Sequence, residues 1–337
     1  MRCARWCTTP VPDNFHGAQR QLDAGRDIPM SGSCTSASWN ICNVRITMSK
    51  AGQLRRRMAE SGLVHVMAAH SPLSAILAEE AGFDGLWASG FELSALLGLP
   101  DMSLVSMTQH LDMVRLIAGK SSLPIVADID TGYGNAINVV HAIQEYERAG
   151  ASAVVIEDKV FPKVTSLAAS GRQELLRVEE FEGKVAAAVH AKTDPDFLVI
   201  ARTEALIAGL GQEEALARAR AYVEAGADMI LIHSKKTTPA EIERFVHAWD
   251  SAVPLVIVPN AYPELDGARI RALEKVRMVI YGNYGVRAAT TAMQDVFRRI
   301  VADGGVQNVH RDIVPVEEIF RLQGMEQIQS LEARYLR

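Results

Sequence analysis

The residues with the clearest chemical signature are Asp128 and Asp130, in the stretch ADIDTGYGN at 127–135. They stand two apart at the end of an apolar run that begins Pro124-Ile125-Val126, and a Gly-Tyr-Gly turn follows at once. Side chains at i and i+2 of a strand share a face, so this spacing sets two carboxylates side by side. Like charges that close need a cation or a shared proton between them. Two further acidic residues occupy comparable positions: Asp101, in LPD after the run WASGFELS, and Glu157, which closes AVVIE. Asp101, Asp128, Asp130 and Glu157, with no thiol or histidine among them, form an oxygen-donor set suited to a hard divalent cation. Mg²⁺ fits best and Mn²⁺ can substitute. Arg202 and His233, each closing a later apolar run, bring the opposite charge. Arginine takes two oxygens of an anion at once. A site that is half metal-binding and half cationic is one for a small anionic molecule.

Each of these residues also has a structural reading. An aspartate after a strand can cap a helix, and Arg202 can pair with Glu157 or Glu204. Histidines on helical segments, such as His110, His141 and His247, read as surface or satisfied core residues. The case for an active site rests on convergence of the polar set on one rim.

The elements that would produce that convergence are regular. Short apolar runs at 64–69, 85–89, 124–130, 153–158, 197–202, 229–233, 254–258 and 278–281 alternate with amphipathic segments. QEEALARARAYVEAG (212–226) sets Ala215, Leu216, Ala219, Tyr222 and Val223 on one helical face. NVVHAIQEYERAG (138–150) has the same period and stops at a glycine. The junctions EEAGFDG, ERAGASA and VEAGADM repeat a helix-to-strand transition. Eight strands, each followed by a helix, predict a (β/α)₈ barrel of the TIM type. A doubly wound sheet is the other candidate, but no Gly-x-Gly-x-x-Gly follows the first strand. In such a barrel the chemistry sits at the carboxyl ends of the strands, where all of these polar residues fall.

The chain of 337 residues carries a net charge of −5 and is 48% hydrophobic, enough for one large core. Its basic cluster Arg55-Arg56-Arg57 reads as a solvated helix face, so no nucleic acid partner is expected. No apolar run approaches a membrane span, and the first residues lack the apolar core of a secretory signal; a cytoplasmic location is expected. Cys3, Cys7, Cys34 and Cys42 all precede residue 43 without a Cys-x-x-Cys pair. Residues 1–47 show no periodicity and are expected to be a disordered extension or a misassigned start, with residues 48–337 as a single barrel domain.

The stretches WASGFELSA, ADIDTGYGN, IEDKVFPKVTSL, ARTEALIAG and LIHS resemble the phosphoenolpyruvate mutase and isocitrate lyase superfamily, from about residue 50 onward. The resemblance is closest to members that hydrolyse phosphonopyruvate to pyruvate and phosphate. It implies that Asp128 binds Mg²⁺ directly, while Asp101, Asp130 and Glu157 act through metal-bound waters. It implies that Trp87, Ser89 and Gly90 line the pyruvyl pocket, and that Arg202 and His233 contact the substrate's anionic groups. Lys163 and Thr165 would ride on a loop that closes over the site. It further implies a homo-oligomer, a dimer of dimers, in which the last helix is exchanged between subunits; the helical stretch 284–337 is compatible with this. Thr165 stands where the mutases carry Asn. Asn260, in VPNAYP, stands where Thr is expected. A lyase with a catalytic cysteine after strand 4 is disfavoured, because KVFPKVTSL has none there. A mutase, an oxaloacetate decarboxylase and a non-catalytic 2-oxo acid sensor are the remaining alternatives.

Overall fold

The computed structural model describes residues 48–168 and 173–336; the four cysteines and the expectation for residues 1–47 lie outside them. Eight parallel strands close into a barrel in sequence order: β1 (Val64–Ala69), β2 (Gly85–Ala88), β3 (Ile125–Asp128), β4 (Ala153–Glu157), β5 (Leu198–Thr203), β6 (Met229–Ile232), β7 (Leu255–Ile257) and β8 (Val276–Tyr281). β8 pairs back onto β1, with Val66 opposite Ile280. The fold class is therefore the expected TIM-type barrel. Every expected strand is present within a few residues of its sequence bounds.

The helices are α1 (Lys50–Ser61), α2 (Pro72–Glu80), α3 (Gly90–Leu96), α4 (Met107–Ala118), α5 (Ala136–Arg148), α6 (Val178–Ala191), α7 (Gly211–Glu224), α8 (Ala240–Ala248), α9 (Gly267–Ala272), α10 (Tyr284–Asp303), α11 (Val316–Gln323) and α12 (Met325–Tyr335). Their starts are encoded locally. The Ser71, Ser106 and Asn135 side chains each accept from an N–H of the first turn and complete a reciprocal capping box. On α7 the buried face is Ala215, Leu216, Ala219 and Tyr222, with Arg218 added to it.

The strands are apolar on both faces, as parallel strands covered on both sides must be. Val64, Val66, Val126, Val155, Ile200, Leu231, Val256 and Ile280 pack inside the barrel. Their neighbours, such as Ile125, Val154, Val199, Ile230 and Val279, pack outward against the helices. Leu54 of α1 is fully buried and joins the interior layer. Arg55 of α1 donates to the Asp196 carbonyl at 2.8 Å and to Asp228 at 2.6 Å, and Arg57 donates to the Asp84 carbonyl at 2.8 Å. This corrects the reading of Arg55–Arg57 as a solvated face: only Arg56 is exposed, and its neighbours fasten α1 to the barrel.

The C-terminal helices differ from the rest. None of α10, α11 and α12 buries a residue, although Met293, Phe297, Val301, Phe320, Ile328 and Leu331 are exposed on them. Among the described residues no helix is long and apolar enough to cross a membrane.

Candidate active site

The carboxyl end of β2 runs straight into α3, and Ser89 is the helix cap: its Oγ accepts from the Glu92 N–H at 3.2 Å. That turn points the Gly90 N–H at Asp128 Oδ2, 3.3 Å away. A Cβ at Gly90 would stand 3.2 Å from Asp130 Oδ1 and 3.3 Å from Asp128 Oδ2, so glycine lets the backbone approach the carboxylates closely.

Asp128 ends β3 as expected, but Asp130 is not on the strand. Its φ is 50°, and its N–H donates to Asp128 Oδ1 at 3.3 Å, the local side-chain-to-backbone bond that aspartate makes in turns. The two carboxylates still come together, through a turn rather than through strand alternation. The Gly-Tyr-Gly turn continues in positive φ. At Gly132 a Cβ would fall 2.5 Å from Val139 and 2.9 Å from Ile156, so this turn is pressed onto the barrel.

Lys163 reaches into the cluster from the loop after β4. Its Nζ lies 3.0 Å from Asp101 Oδ1 and 2.6 Å from Asp130 Oδ1, with only 5% of its side chain exposed. Burial pulls its pKa down, but the facing carboxylates, Asp130 foremost, outweigh that and hold it above the usual lysine value. Burial raises Asp128 above the ordinary range, against the pull of Lys163. It likewise pushes Asp130 up to about 7.

On the opposite flank, Arg202 of β5 donates from Nε to Glu204 Oε1 at 2.6 Å, and that nitrogen lies 3.3 Å from Glu157 Oε2. Its Nη2 reaches Ser166 Oγ and His233 Nδ1, both at 3.0 Å. Burial lowers the His233 pKa. Both structural pairings weighed for Arg202 are thus present beside its place in the pocket.

Asp101, Asp128, Lys163, Thr165, Arg202 and His233 line one cavity of about 320 Å³, together with Trp87 and Ser89. Gly90 and Asp130 stand just behind, on a small adjoining cleft. Glu157 lies beneath, 2% exposed. Asn260 is on the wall as well, its Oδ1 accepting from the Gly282 N–H at 3.2 Å. His110 is a satisfied core residue: Nε2 meets the Ala88 carbonyl at 3.2 Å and Nδ1 meets Tyr146 Oη at 2.8 Å. Sequence reasoning left out Phe91, Ser166, Lys235, Asn283 and Arg287, which also line the cavity. Ser166 had a visible signal, being next to Thr165 on the same loop. Asn283 and Arg287, at the start of α10, had none.

The carboxylate side fits a hard cation by its chemistry. It offers oxygen donors only, and Glu157 Oε1 is buried without a hydrogen-bond partner. Among the described residues no three acidic, histidine or cysteine side chains converge tightly enough to enclose an ion, and Lys163 stands between two of the carboxylates. The carboxylate side is thus an open set of oxygen donors rather than a closed protein cage.

A closed parallel barrel whose carboxyl rim sets buried carboxylates and a lysine against an arginine–histidine pair defines an enzyme class: barrels that act on small anionic oxo acids. The chain belongs to the phosphoenolpyruvate phosphomutase family, whose profile matches residues 54–301. It is 57% identical to phosphonopyruvate hydrolase of Variovorax sp. (strain Pal2), over 86% of this chain and 100% of that protein. It is 42% identical to phosphoenolpyruvate phosphomutase of Tetrahymena pyriformis, over 85% of this chain and 95% of that one. A crystal structure of phosphonopyruvate hydrolase in complex with oxalate and Mg²⁺ superposes with a TM-score of 0.81 at 55% identity, covering 86% of this chain and 100% of that chain.

Proposed function

We propose that this protein hydrolyses the carbon–phosphorus bond of phosphonopyruvate, giving pyruvate and phosphate, with Mg²⁺ as its metal. The observation that carries the reading is the 57% identity to a phosphonopyruvate hydrolase along that protein's whole length. The pocket supports it, because it separates a carboxylate side from a cationic side as the substrate's two ends require. The mutase relative is more distant, at 42%.

Asp128 would hold Mg²⁺ directly, and Asp101, Asp130 and Glu157 would hold its waters. When bound, the ion neutralises negative charge that builds on the ketone and carboxylate oxygens as the bond breaks. The chain's own groups do the rest. Trp87, Ser89 and the Gly90 turn shape the pyruvyl end. Arg202 and His233 hold the phosphonate oxygens and stabilise a loose, metaphosphate-like transition state. Thr165 sits on the pocket wall, where its hydroxyl can orient a water toward phosphorus. Lys163 places a further positive charge beside the reacting centre. As water's oxygen bonds to phosphorus, the C–P electron pair passes to the pyruvate enolate. The water releases a proton and the enolate carbon takes one up, so atoms and charge balance.

We further propose that residues 48–337 are the catalytic unit and that the protein works in the cytoplasm as a dimer of dimers exchanging its C-terminal helical segment. The exposed apolar residues of α10–α12 support the exchange, since such a face calls for a partner. The test of function is incubation of pure protein with phosphonopyruvate and Mg²⁺, measuring pyruvate and phosphate. Equal release of both, abolished by EDTA, is expected; turnover that survives thorough chelation would overturn the metal assignment.

A further inference from the structure

The cationic half of the pocket is organised by a carboxylate that does not itself line it. Glu204, just past the end of β5, is fully buried. Its Oε1 accepts from Arg202 Nε at 2.6 Å. Its Oε2 accepts from Ser166 Oγ at 2.5 Å and lies 3.0 Å from Lys159 Nζ. Its own N–H donates to Asp158 Oδ1 at 2.9 Å, and Asp158 is held in turn by Tyr222 Oη at 2.6 Å.

These bonds fix the direction of every donor around them. A serine hydroxyl has one proton, and at Ser166 Glu204 takes it. The Ser166 lone pairs then accept from Lys159 Nζ at 2.6 Å and Arg202 Nη2 at 3.0 Å. Lys159 also donates to the Val164 carbonyl at 2.8 Å, so the loop carrying Lys163, Thr165 and Ser166 is fastened to the barrel at this point. Arg202 Nη2 meets His233 Nδ1 at 3.0 Å. A guanidinium can only donate, so it pairs with an unprotonated Nδ1. The neutral ring therefore carries its proton on Nε2. The competing tautomer would donate from Nδ1 to Glu204 Oε1, but that separation is 3.6 Å, too long for a hydrogen bond.

We propose that Glu204 is a positioning residue for phosphoryl recognition: it orients Arg202 and Ser166, and through Arg202 it holds His233 as the Nε2–H tautomer, so that this wall of the pocket presents donors only. The proposal rests on the reading of the pocket as one for phosphonopyruvate. Glu204 bonds to Arg202 and Ser166 and pairs with Lys159; among the described residues no bond ties it to Asp101, Asp128 or Asp130, and it meets Glu157 only through the Arg202 Nε that lies near both. Its influence should therefore fall on the phosphoryl end and spare the pyruvyl end.

Glu204→Gln tests this in the full-length protein at saturating Mg²⁺, by calorimetric titration with two probes. Inorganic phosphate reports on the phosphoryl end. Oxalate, whose paired oxygens imitate the enolate of pyruvate, reports on the other. The carboxamide has one acceptor oxygen, so it cannot serve Arg202 on one side and both Ser166 and Lys159 on the other. The phosphate Kd is expected to rise roughly ten- to a hundredfold, the range for losing a hydrogen bond to a charged group. The oxalate Kd is expected to stay within about twofold. Equal weakening of both probes, or unchanged phosphate binding, overturns the proposal. If Glu204→Gln does not fold, Ser166→Ala removes only the bridging hydroxyl and is expected to weaken phosphate alone, by about three- to tenfold; no selective effect there overturns the proposal equally. Nitrogen NMR of the histidine rings, with His233→Asn for assignment, should show the Nε2–H tautomer in the native protein, and an Nδ1–H tautomer contradicts it. A native protein that binds phosphate but leaves phosphonopyruvate intact overturns the substrate assignment and not the role of Glu204.

Discussion

Lys163→Met should destabilise the metal-free protein, and by an amount that depends on pH. Lys163 is the ammonium placed among Asp101, Asp128, Asp130 and Glu157, with 5% of its side chain exposed. Methionine keeps most of the apolar stem and deletes the charge. Removing one partner of a buried ion pair costs about 3–5 kcal/mol, because the other is left uncompensated. The carboxylates here have a way to relieve that cost, since burial pushes Asp130 up to about 7 even with Lys163 beside it. Without Lys163 that value rises further above its unfolded value near 3.8. The native state then binds more protons than the unfolded one across this window, so the variant's stability falls as pH rises through it. The full loss belongs near pH 8.5. At pH 6 Asp130 is more fully protonated and the loss should be smaller, each unit of pKa change being worth about 1.36 kcal/mol. At roughly 2–4 °C per kcal/mol, the melting temperature in EDTA should drop by about 6–20 °C at pH 8.5 and by visibly less at pH 6. Mg²⁺ should raise it more in the variant than in the native protein, because the ion restores positive charge to the cluster. Calorimetric melts at the two pH values measure all three quantities. A drop of the same size at both pH values, or none at either, would refute the view of Lys163 as the counter-charge of the carboxylate cluster.

Three further outcomes follow from the same geometry. Asp128→Ala should abolish turnover while leaving the metal-free melt within a few degrees of native, since among the described residues the side chain accepts two long bonds of 3.3 Å and no shorter one; near-normal turnover would remove its role. Thr165→Ala should lower the hydrolysis rate roughly ten- to a thousandfold, the range for one positioning group, and Thr165→Asn should retain the phosphoryl group long enough for phosphoenolpyruvate to be detected by phosphorus NMR; unchanged phosphate release by both would place water selection elsewhere on the loop. A chain beginning at Met48 should keep full activity and assembly, because α1 starts at Lys50 and carries the Leu54 plug of the barrel; an insoluble or inactive product would make the preceding residues part of the fold.

The barrel was legible because each parallel strand is a short apolar run bounded by helical periodicity, and the junctions repeat. The rim residues were legible because they interrupt those runs at one end: Asp128 after Ile125-Val126-Ala127, His233 after Ile230-Leu231-Ile232. Local geometry was less so. Asp130 was expected on the strand face and sits instead in a turn with φ 50°, because its N–H bonds to Asp128. Long-range partners were least legible. Ser166 and Lys159 meet Glu204 only once the loop after β4 folds back onto β5, and no spacing encodes that return. Arg55 and Arg57 looked solvated because a helix pattern records which face is apolar, not which carbonyls wait at the foot of a barrel.

The most direct test of the central claim is phosphorus NMR of phosphonopyruvate and Mg²⁺ with the native protein in ¹⁸O-enriched water. Hydrolysis with water captured at phosphorus predicts inorganic phosphate as the phosphorus product, bearing one ¹⁸O from solvent, and pyruvate in equal amount. Accumulation of phosphoenolpyruvate without ¹⁸O, or intact phosphonopyruvate alongside a bound metal, would contradict the account.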